Sequence, residues 1–533
     1  MTTEFGTRRI SRDLSDLYRE EREAGGEQLF YDVVIVGSGY GGALAAAELA
    51  GRKTGHGQDV KVLVLERGKE YVPGMFPSSA QEMPSHVRVH RSQSGETTGY
   101  HDGLFDIRIG PDVCALVGNG LGGGSLINAG VMEVPKWEFV PRMPDTLKSY
   151  LNAVTFQEVK QSLGAATGKT DNTIELHTRA PEGTAKTRAL KSLDPGKFRY
   201  PALTVEMLED AELPRCELCG DCMTGCNVGA KKSLDTSLLL TAFHLGAQIR
   251  TGASVKSVER SAEPGLWEVA VVFTGESLRR RHKTLRIRAG KVILAAGTLG
   301  SPEILMQSQR FALKFSPRLG QQFSCNGDNI LAMQDAGQPT NPVAREHESL
   351  QGRTVGPTIT GIIDVDVNVD MKVNERDSGP PFMIQEFAVP AALKRIFDEA
   401  VTTSSLLHRL AEKDSQAHGG EGRGTDPLAV NQKKMDKVLL LGLIGHDESS
   451  GRLKLPVIGP MEEPRVAEGR IQIDWPDVKN SRMLDDAYDR AKDLILRQPS
   501  KLPVLANPLW RMLPEQLDFV FRTERGPVLT VHP

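Results

Sequence analysis

The sequence has no apolar run long enough to cross a membrane as a helix; Val438–Ile444, among its longest, falls far short of the ~20 residues a bilayer needs. It also lacks an excess of charge of either sign. Its 65 basic and 68 acidic residues leave a net charge of −3 over 533 residues, which gives no electrostatic pull toward nucleic acid or an acidic lipid surface. The one basic run, Arg279–Lys283, lies between strand-like segments at 268–273 and 284–287 and reads as a solvated hairpin. Arg8-Arg9 is followed by Ser, Asp, Arg, Glu and Gly rather than an apolar stretch. A twin-arginine export signal is therefore not expected, and a cytoplasmic protein is. Cysteine is scarce: four of six crowd into 216–226, whereas a secreted disulfide framework would spread them along the chain. There is no H-E-x-x-H, no Walker loop and no G-x-S-x-G elbow, and Asp447–Gly451 lacks the alternating acids of a calcium loop.

What is present begins at residue 32. An apolar run, 32–36, has the character of a parallel strand buried on both faces. It runs into Gly37-Ser38-Gly39-Tyr40-Gly41-Gly42, in which Gly37, Gly39 and Gly42 satisfy G-x-G-x-x-G. The first glycine permits the tight turn, the second lets backbone approach a pyrophosphate, and the third lets helix pack on strand. The small-residue helix that follows, Ala43–Ala50, would direct its N-terminal amides at phosphate. A second strand, Lys61–Leu65, ends at Glu66, where an acid should reach a ribose hydroxyl. Strand, glycine turn, helix, strand and acid in this order predict a dinucleotide site.

Further along, Gly118–Asn128 is a second glycine-rich stretch. With a short strand before it and no ribose-binding acid after it, this stretch reads as a nest of amides closing on the same ligand. Lys291–Gly297 returns the chain to the first sheet. Beyond 311, strands (357–365, 382–387, 438–444, 470–474) alternate with helices (393–410, 485–497), and the loop 413–434 is poor in apolar residues. The predicted class is α/β: a Rossmann-like dinucleotide domain, 31–140 and 230–310, closing again near 520–533. It is interleaved with an α+β domain, 141–229 and 311–519, built on a mainly antiparallel sheet, and residues 1–30 read as a charged extension.

Taken together, Gly37–Gly42, Glu66-Arg67-Gly68, Gly120–Asn128, Gly225–Lys231, Gly246-Ala247 with Val255, Gly297–Pro302 and the final Thr530-Val531-His532-Pro533 resemble the glucose–methanol–choline (GMC) oxidoreductases, in their cholesterol-oxidase-like branch. The resemblance implies FAD rather than NAD. It implies that Gly37, Gly39, Tyr40, Gly41 and Gly42 hold the diphosphate, Glu66 the ribose, Gly123, Gly124 and Asn128 the diphosphate and flavin ring, and Val255 the adenine through its backbone. It also implies a catalytic histidine at His532, which an imidazole suits because its pKa lies near neutrality. In the family His-Pro usually continues into Leu-Gly-Gly and a further segment, so the chain is expected to be a piece of a longer protein.

The expected reaction is oxidation of a CH–OH group in a sterol or other bulky alcohol, with oxygen as acceptor. The rival expectations are a dehydrogenase serving another acceptor, a non-redox flavoprotein, or an inactive fragment. Glu386, in the apolar setting Met383–Phe387, is a candidate carboxylate for isomerising an enone product, against the plainer reading of a strand-edge glutamate. Cys216, Cys219, Cys222 and Cys226 have the spacing of a bacterial ferredoxin run and so are candidate iron–sulfur ligands, though Asn227 stands where proline usually follows. Zinc would favour two separated knuckles; a metal-free loop near the flavin is the remaining reading.

Overall fold

The computed structural model describes residues 9–531 apart from 93, 135–144, 164–165, 168–169, 172–182, 209–210, 212, 310–312, 345–353, 366–379, 412–431, 456–470, 499–503 and 508–527. Most of the predicted loop 413–434, and His532 itself, lie outside the described residues.

The strand Phe30–Val36 is central to a seven-stranded sheet. It pairs in parallel with Val62–Leu65 on one side and Leu285–Leu294 on the other, and Val62–Leu65 in turn pairs in parallel with Gln248–Thr251. Alternation explains why these runs are apolar throughout. Val33, Ile35, Val62 and Val64 pack against helices Tyr40–Leu49 and Leu238–His244 through Ala43, Ala46, Leu239 and Ala242. Val34, Val36, Leu63 and Leu65 point the other way, into a core shared with Val269, Val271, Phe273 and Ile304. Trp267–Phe273 and Ala253–Arg260 complete the sheet as antiparallel strands.

One expectation needs correction. The segment before Phe30 is no appended tail: Arg12–Asp13 pairs in parallel with Gln248–Thr251, Leu14 and Leu17 are fully buried, and Tyr18 stacks on Phe273 at 5.0 Å. A charged helix can belong to a core through a few inward positions, which composition does not register. The basic run lies, as read, in the solvated connection of a hairpin: a short helix, Glu276–Arg281, joins two antiparallel strands, and Arg279 donates to the carbonyls of Phe273 and Thr274.

The second large sheet has six strands in the order Phe198–Arg199, Ile362–Val365, Phe382–Glu386, Leu439–Ile444, Asn329–Met333 and Val504–Ala506, every pair antiparallel. Leu331, Met333, Ile384, Leu439, Leu441 and Leu443 face helix Arg482–Leu496, whose Leu484, Ala487, Tyr488, Ala491 and Ile495 recur at helical spacing. Ala332, Leu440 and Leu505 face Phe397 and Val401 of helix Lys394–Ala411. The predicted strand at 470–474 is instead part of a two-stranded ribbon, Gln472–Asp474 with Arg452–Lys454. No helix of the described residues is long and apolar enough to cross a membrane.

A five-stranded sheet lies beside the first. Its strand Val113–Gly118 feeds the glycine-rich loop and pairs in parallel with Val528–Thr530. Within it Asp106 is fully buried and meets Arg67 at 2.8 Å, Arg108 at 2.7 Å and Arg88 at 3.6 Å. Burial alone would raise its carboxyl, but Arg108, Arg88 and Arg67 outweigh it and hold Asp106 far below the usual range. A depressed carboxyl contributes stability above its unfolded pKa of 3.8 that is lost on acidification below it. Asp106→Asn should therefore lower the unfolding free energy by about 3–5 kcal/mol at neutral pH, with the gap to the parent chain narrowing as urea melts are moved toward pH 2.

Candidate functional site

The first glycine turn is shaped by backbone crowding. Gly37 has φ +95°, and a Cβ on it would stand 2.4 Å from the Ala295 carbonyl oxygen; one on Gly42 would stand 2.0 Å from that of Gly37. Both positions are closed to any larger residue. Gly39, which caps helix Tyr40–Leu49, has open space where its Cβ would be. The glycine-rich loop comes to the same place: Gly123, with φ +56°, would put a Cβ 3.0 Å from the Cα of Gly39. Two glycine segments about 85 residues apart thus meet at an open face lined by main chain, the form of cradle that fits a dinucleotide diphosphate.

Glu66 ties them together. Its Oε2 accepts from Ser38 Oγ (2.6 Å) and Ser38 N (3.1 Å), and its Oε1 from Gly68 N (2.8 Å). The Ser38 hydroxyl in turn accepts from Gly122 N at 3.0 Å. The Ala253 amide donates to the Glu66 carbonyl at 2.9 Å, which starts the strand carrying Val255 beside the same residue. That strand is an edge of the seven-stranded sheet and has a bulge between Val255 and Ser257.

At the far end of the loop, Asn128 Nδ2 donates to Tyr40 Oη at 2.6 Å, and its Oδ1 accepts from Gly130 N at 3.1 Å. Burial raises the Tyr40 phenol, so it stays protonated at neutral pH. Lys231, almost fully buried, donates to the carbonyls of Asn128 (2.6 Å), Cys222 (3.0 Å) and Leu126 (3.1 Å). Burial pulls its ammonium down to about 8, opposed by Cys222, Cys226 and Asp235. Sequence reasoning missed Ser38 and Lys231 as site residues, although both lie inside recognised motifs; the signal is a polar side chain among glycines and apolar residues.

The cysteine run does not fit a metal. Among the described residues no group of three or more His, Cys, Asp or Glu side chains is placed to hold one, and none of the four cysteines is in a disulfide. Cys216 packs with Leu203, Val205, Met207 and Leu218, with Cys226 against the same apolar cluster. Cys222 is fully buried in the turn Cys222–Thr224, beside Lys231 and Thr358. Burial raises Cys216 and Cys222 and pushes Cys219 up to about 12, so that these thiols stay protonated at neutral pH. The iron–sulfur expectation finds no support among the described residues: the spacing is that of a ferredoxin, but the thiols lie in and around a buried turn.

Glu386 is not at a strand edge. Its strand lies inside the six-stranded sheet, and its carboxylate is wholly buried. Oε2 takes Lys186 Nζ at 3.0 Å; Oε1 takes Thr360 Oγ1 (2.6 Å), Thr360 N (3.1 Å) and Thr187 Oγ1 (3.2 Å). Lys186 also donates to Thr360 Oγ1 at 2.8 Å. Burial pushes the carboxyl up and the ammonium down, and each is opposed by the other's charge. The pair pins helix Ala185–Leu193 to the sheet. Before His532, the chain is held by Asp328, whose Oδ2 accepts from Thr530 Oγ1 and Val531 N, both at 2.9 Å.

Residues 202–323 match the sequence profile of the family described as GMC oxidoreductase. The chain is 30% identical over 325 residues to a cholesterol oxidase of Mycobacterium tuberculosis, a match spanning 56% of this chain and 52% of that one. It is 25% identical over 302 residues to the long-chain-alcohol oxidase FAO1 of Arabidopsis thaliana, across 54% of this chain and 35% of that one. These matches span about half, or less, of the relatives' own length. Among solved structures, pyridoxine 4-oxidase from Mesorbium loti shares the fold with a TM-score of 0.52 at 15% identity, over 92% of this chain and 85% of that one.

If the Lys186–Glu386 pair is a staple, Glu386→Ala should cost about 3–5 kcal/mol in denaturant unfolding by stranding a buried cation. Lys186→Met combined with Glu386→Leu should recover most of that loss.

Proposed function

We propose that this chain acts as an FAD-dependent oxidoreductase that oxidises a bulky, largely apolar alcohol, with oxygen as electron acceptor. The observation that carries the reading is the Glu66–Ser38–Gly122 bridge, which closes two glycine segments on one open face. The amides at Gly39–Gly42 and at Gly123 and Gly124 would hold the FAD diphosphate, Glu66 the ribose, the strand edge at Val255 the adenine, and Asn128 with Tyr40 the flavin end. The relatives named cholesterol oxidase and long-chain-alcohol oxidase support a substrate that joins a hydroxyl to a large apolar body.

FAD, when bound, supplies the hydride acceptor. The remaining task falls to the protein: positioning the carbinol carbon and removing the hydroxyl proton. We assign that proton to His532. Val528–Thr530 runs parallel to the strand that feeds the glycine-rich loop, and Asp328 clamps Thr530 and Val531, so the chain leaves the strand in the direction of that loop. His532 would take the hydroxyl proton of the carbinol, and bound FAD would supply the acceptor for its hydride, so that a carbonyl would be left. Glu386 enters this account as a structural acid, its oxygens being already engaged.

The test is an anaerobic mixing experiment on this chain, using a 3β-hydroxysterol and a long-chain primary alcohol. Bleaching of the flavin by at least one, followed by peroxide release on admitting air, is the expected result. A yellow protein that neither alcohol reduces would overturn the reading. His532→Ala should retain the flavin and slow its reduction by about 10²- to 10⁴-fold.

A further inference from the structure

We propose that Lys231 is a positioning residue for the flavin-facing end of the glycine-rich loop, anchoring it to the cysteine turn. The proposal rests on the reading that this loop lines the FAD site.

An ammonium group has three donors and no acceptor. All three donors of Lys231 go to main-chain carbonyls, and these come from two turns about 95 residues apart: Leu126 and Asn128 in one, Cys222 in the other. A cation at 3% exposure with no carboxylate bonded to it is costly, and a methionine would fill a similar volume without that cost. Filling space therefore does not account for the residue; directing three carbonyls does.

The consequence follows from peptide planarity. In a trans peptide the C=O and the next N–H point in opposite directions. With the Leu126 carbonyl turned to Lys231, the Ile127 N–H goes back to Gly124 O at 3.1 Å. With the Asn128 carbonyl turned to Lys231, the Ala129 N–H must face away from it, and it makes no hydrogen bond among the described residues. The Asn128 side chain is held by Tyr40 and Gly130 at the same point. Lys231 thus decides which way the 128–129 peptide presents its free donor, and it places a fixed positive charge behind that donor. Both features favour an electron-rich ring edge on the other side. The cysteine turn is the counter-anchor, and its role is carried by the Cys222 carbonyl rather than by a thiol.

The experiment compares the parent chain with Lys231→Gln, which keeps a donor but not the charge, Lys231→Met, which keeps neither, and Lys231→Arg, which keeps the charge. Far-ultraviolet circular dichroism establishes that each is folded. FAD affinity by titration, the flavin reduction potential and amide exchange at Ala129 with and without FAD are then measured. Lys231→Met should bind FAD about ten- to a hundredfold more weakly, shift the potential to lower values and lose the FAD-dependent protection of the Ala129 amide. Lys231→Gln should show the potential shift with a smaller affinity loss, and Lys231→Arg should restore the potential in part. Variants matching the parent in affinity, potential and Ala129 protection would overturn the proposal. If Lys231→Met fails to fold, the Gln and Arg variants and the Ala129 exchange of the parent chain decide it. A parent chain that binds no FAD would instead sink the reading of the site on which the proposal rests.

Discussion

The short bridge from Glu66 through Ser38 to Gly122 is the constraint on which the cofactor half of the molecule depends. It joins three strand ends: Ser38 follows Phe30–Val36, Glu66 follows Val62–Leu65, and Gly122 follows Val113–Gly118. The first two belong to the seven-stranded sheet and the third to its five-stranded neighbour, so the bridge links sheets as well as loops. Because Glu66 and Ser38 are buried, these bonds are made in a medium where losing one partner is expensive. Gly123 permits the close approach of the second loop to Gly39, Gly37 and Gly42 let the first turn close against Ala295 and on itself, and the carboxylate–hydroxyl–amide bridge holds the two loops together.

A second set of buried polar contacts continues from that region into the six-stranded sheet. Asn128 passes to Lys231, Lys231 to Cys222, and the Cys222 thiol to Thr358, two residues before the Thr360 that binds Glu386. Its members lie on four separate stretches of chain. Buried ionic groups are weak evidence for stability as such, since apolar replacements of equal volume often do as well. Their geometric demands are strict, however, and here they restrict how the antiparallel sheet is seated against the glycine-rich loop.

Much of this was legible in the sequence, for a reason visible in individual residues. Strands buried on both faces show as unbroken apolar runs, and Val33–Val36 and Val62–Leu65 could be placed directly. Glycines at forced conformations, such as Gly37, and the antiparallel strands at 382–386 and 439–444 were equally plain. What escaped was tertiary. Leu14 and Leu17 sit in a segment whose average is charged, so its membership of the core did not show. The four cysteines carry a spacing that names a ligand set only if the thiols turn inward together, and sequence distance says nothing about that. Glu386 read as a strand-edge acid because its partner, Lys186, is 200 residues away. The tract Gly225–Lys231 was recognised as a motif, yet no local rule says that its last side chain reaches back across to residues 126 and 128.

Lys231 also shows why a recognised motif and an understood site are different achievements. The apolar and glycine positions around it can be justified by packing, which is local enough to infer. A buried cation cannot be so justified, because its desolvation cost is offset only by acceptors whose identity the fold supplies. Here all the directly bonded acceptors are peptide carbonyls, each of which drags a peptide plane with it, so the cation converts one side chain into the orientation of two turns. A carboxylate partner would have neutralised the charge and oriented nothing. The choice of carbonyls over an acid is therefore what makes this lysine a part of the site rather than a part of the core.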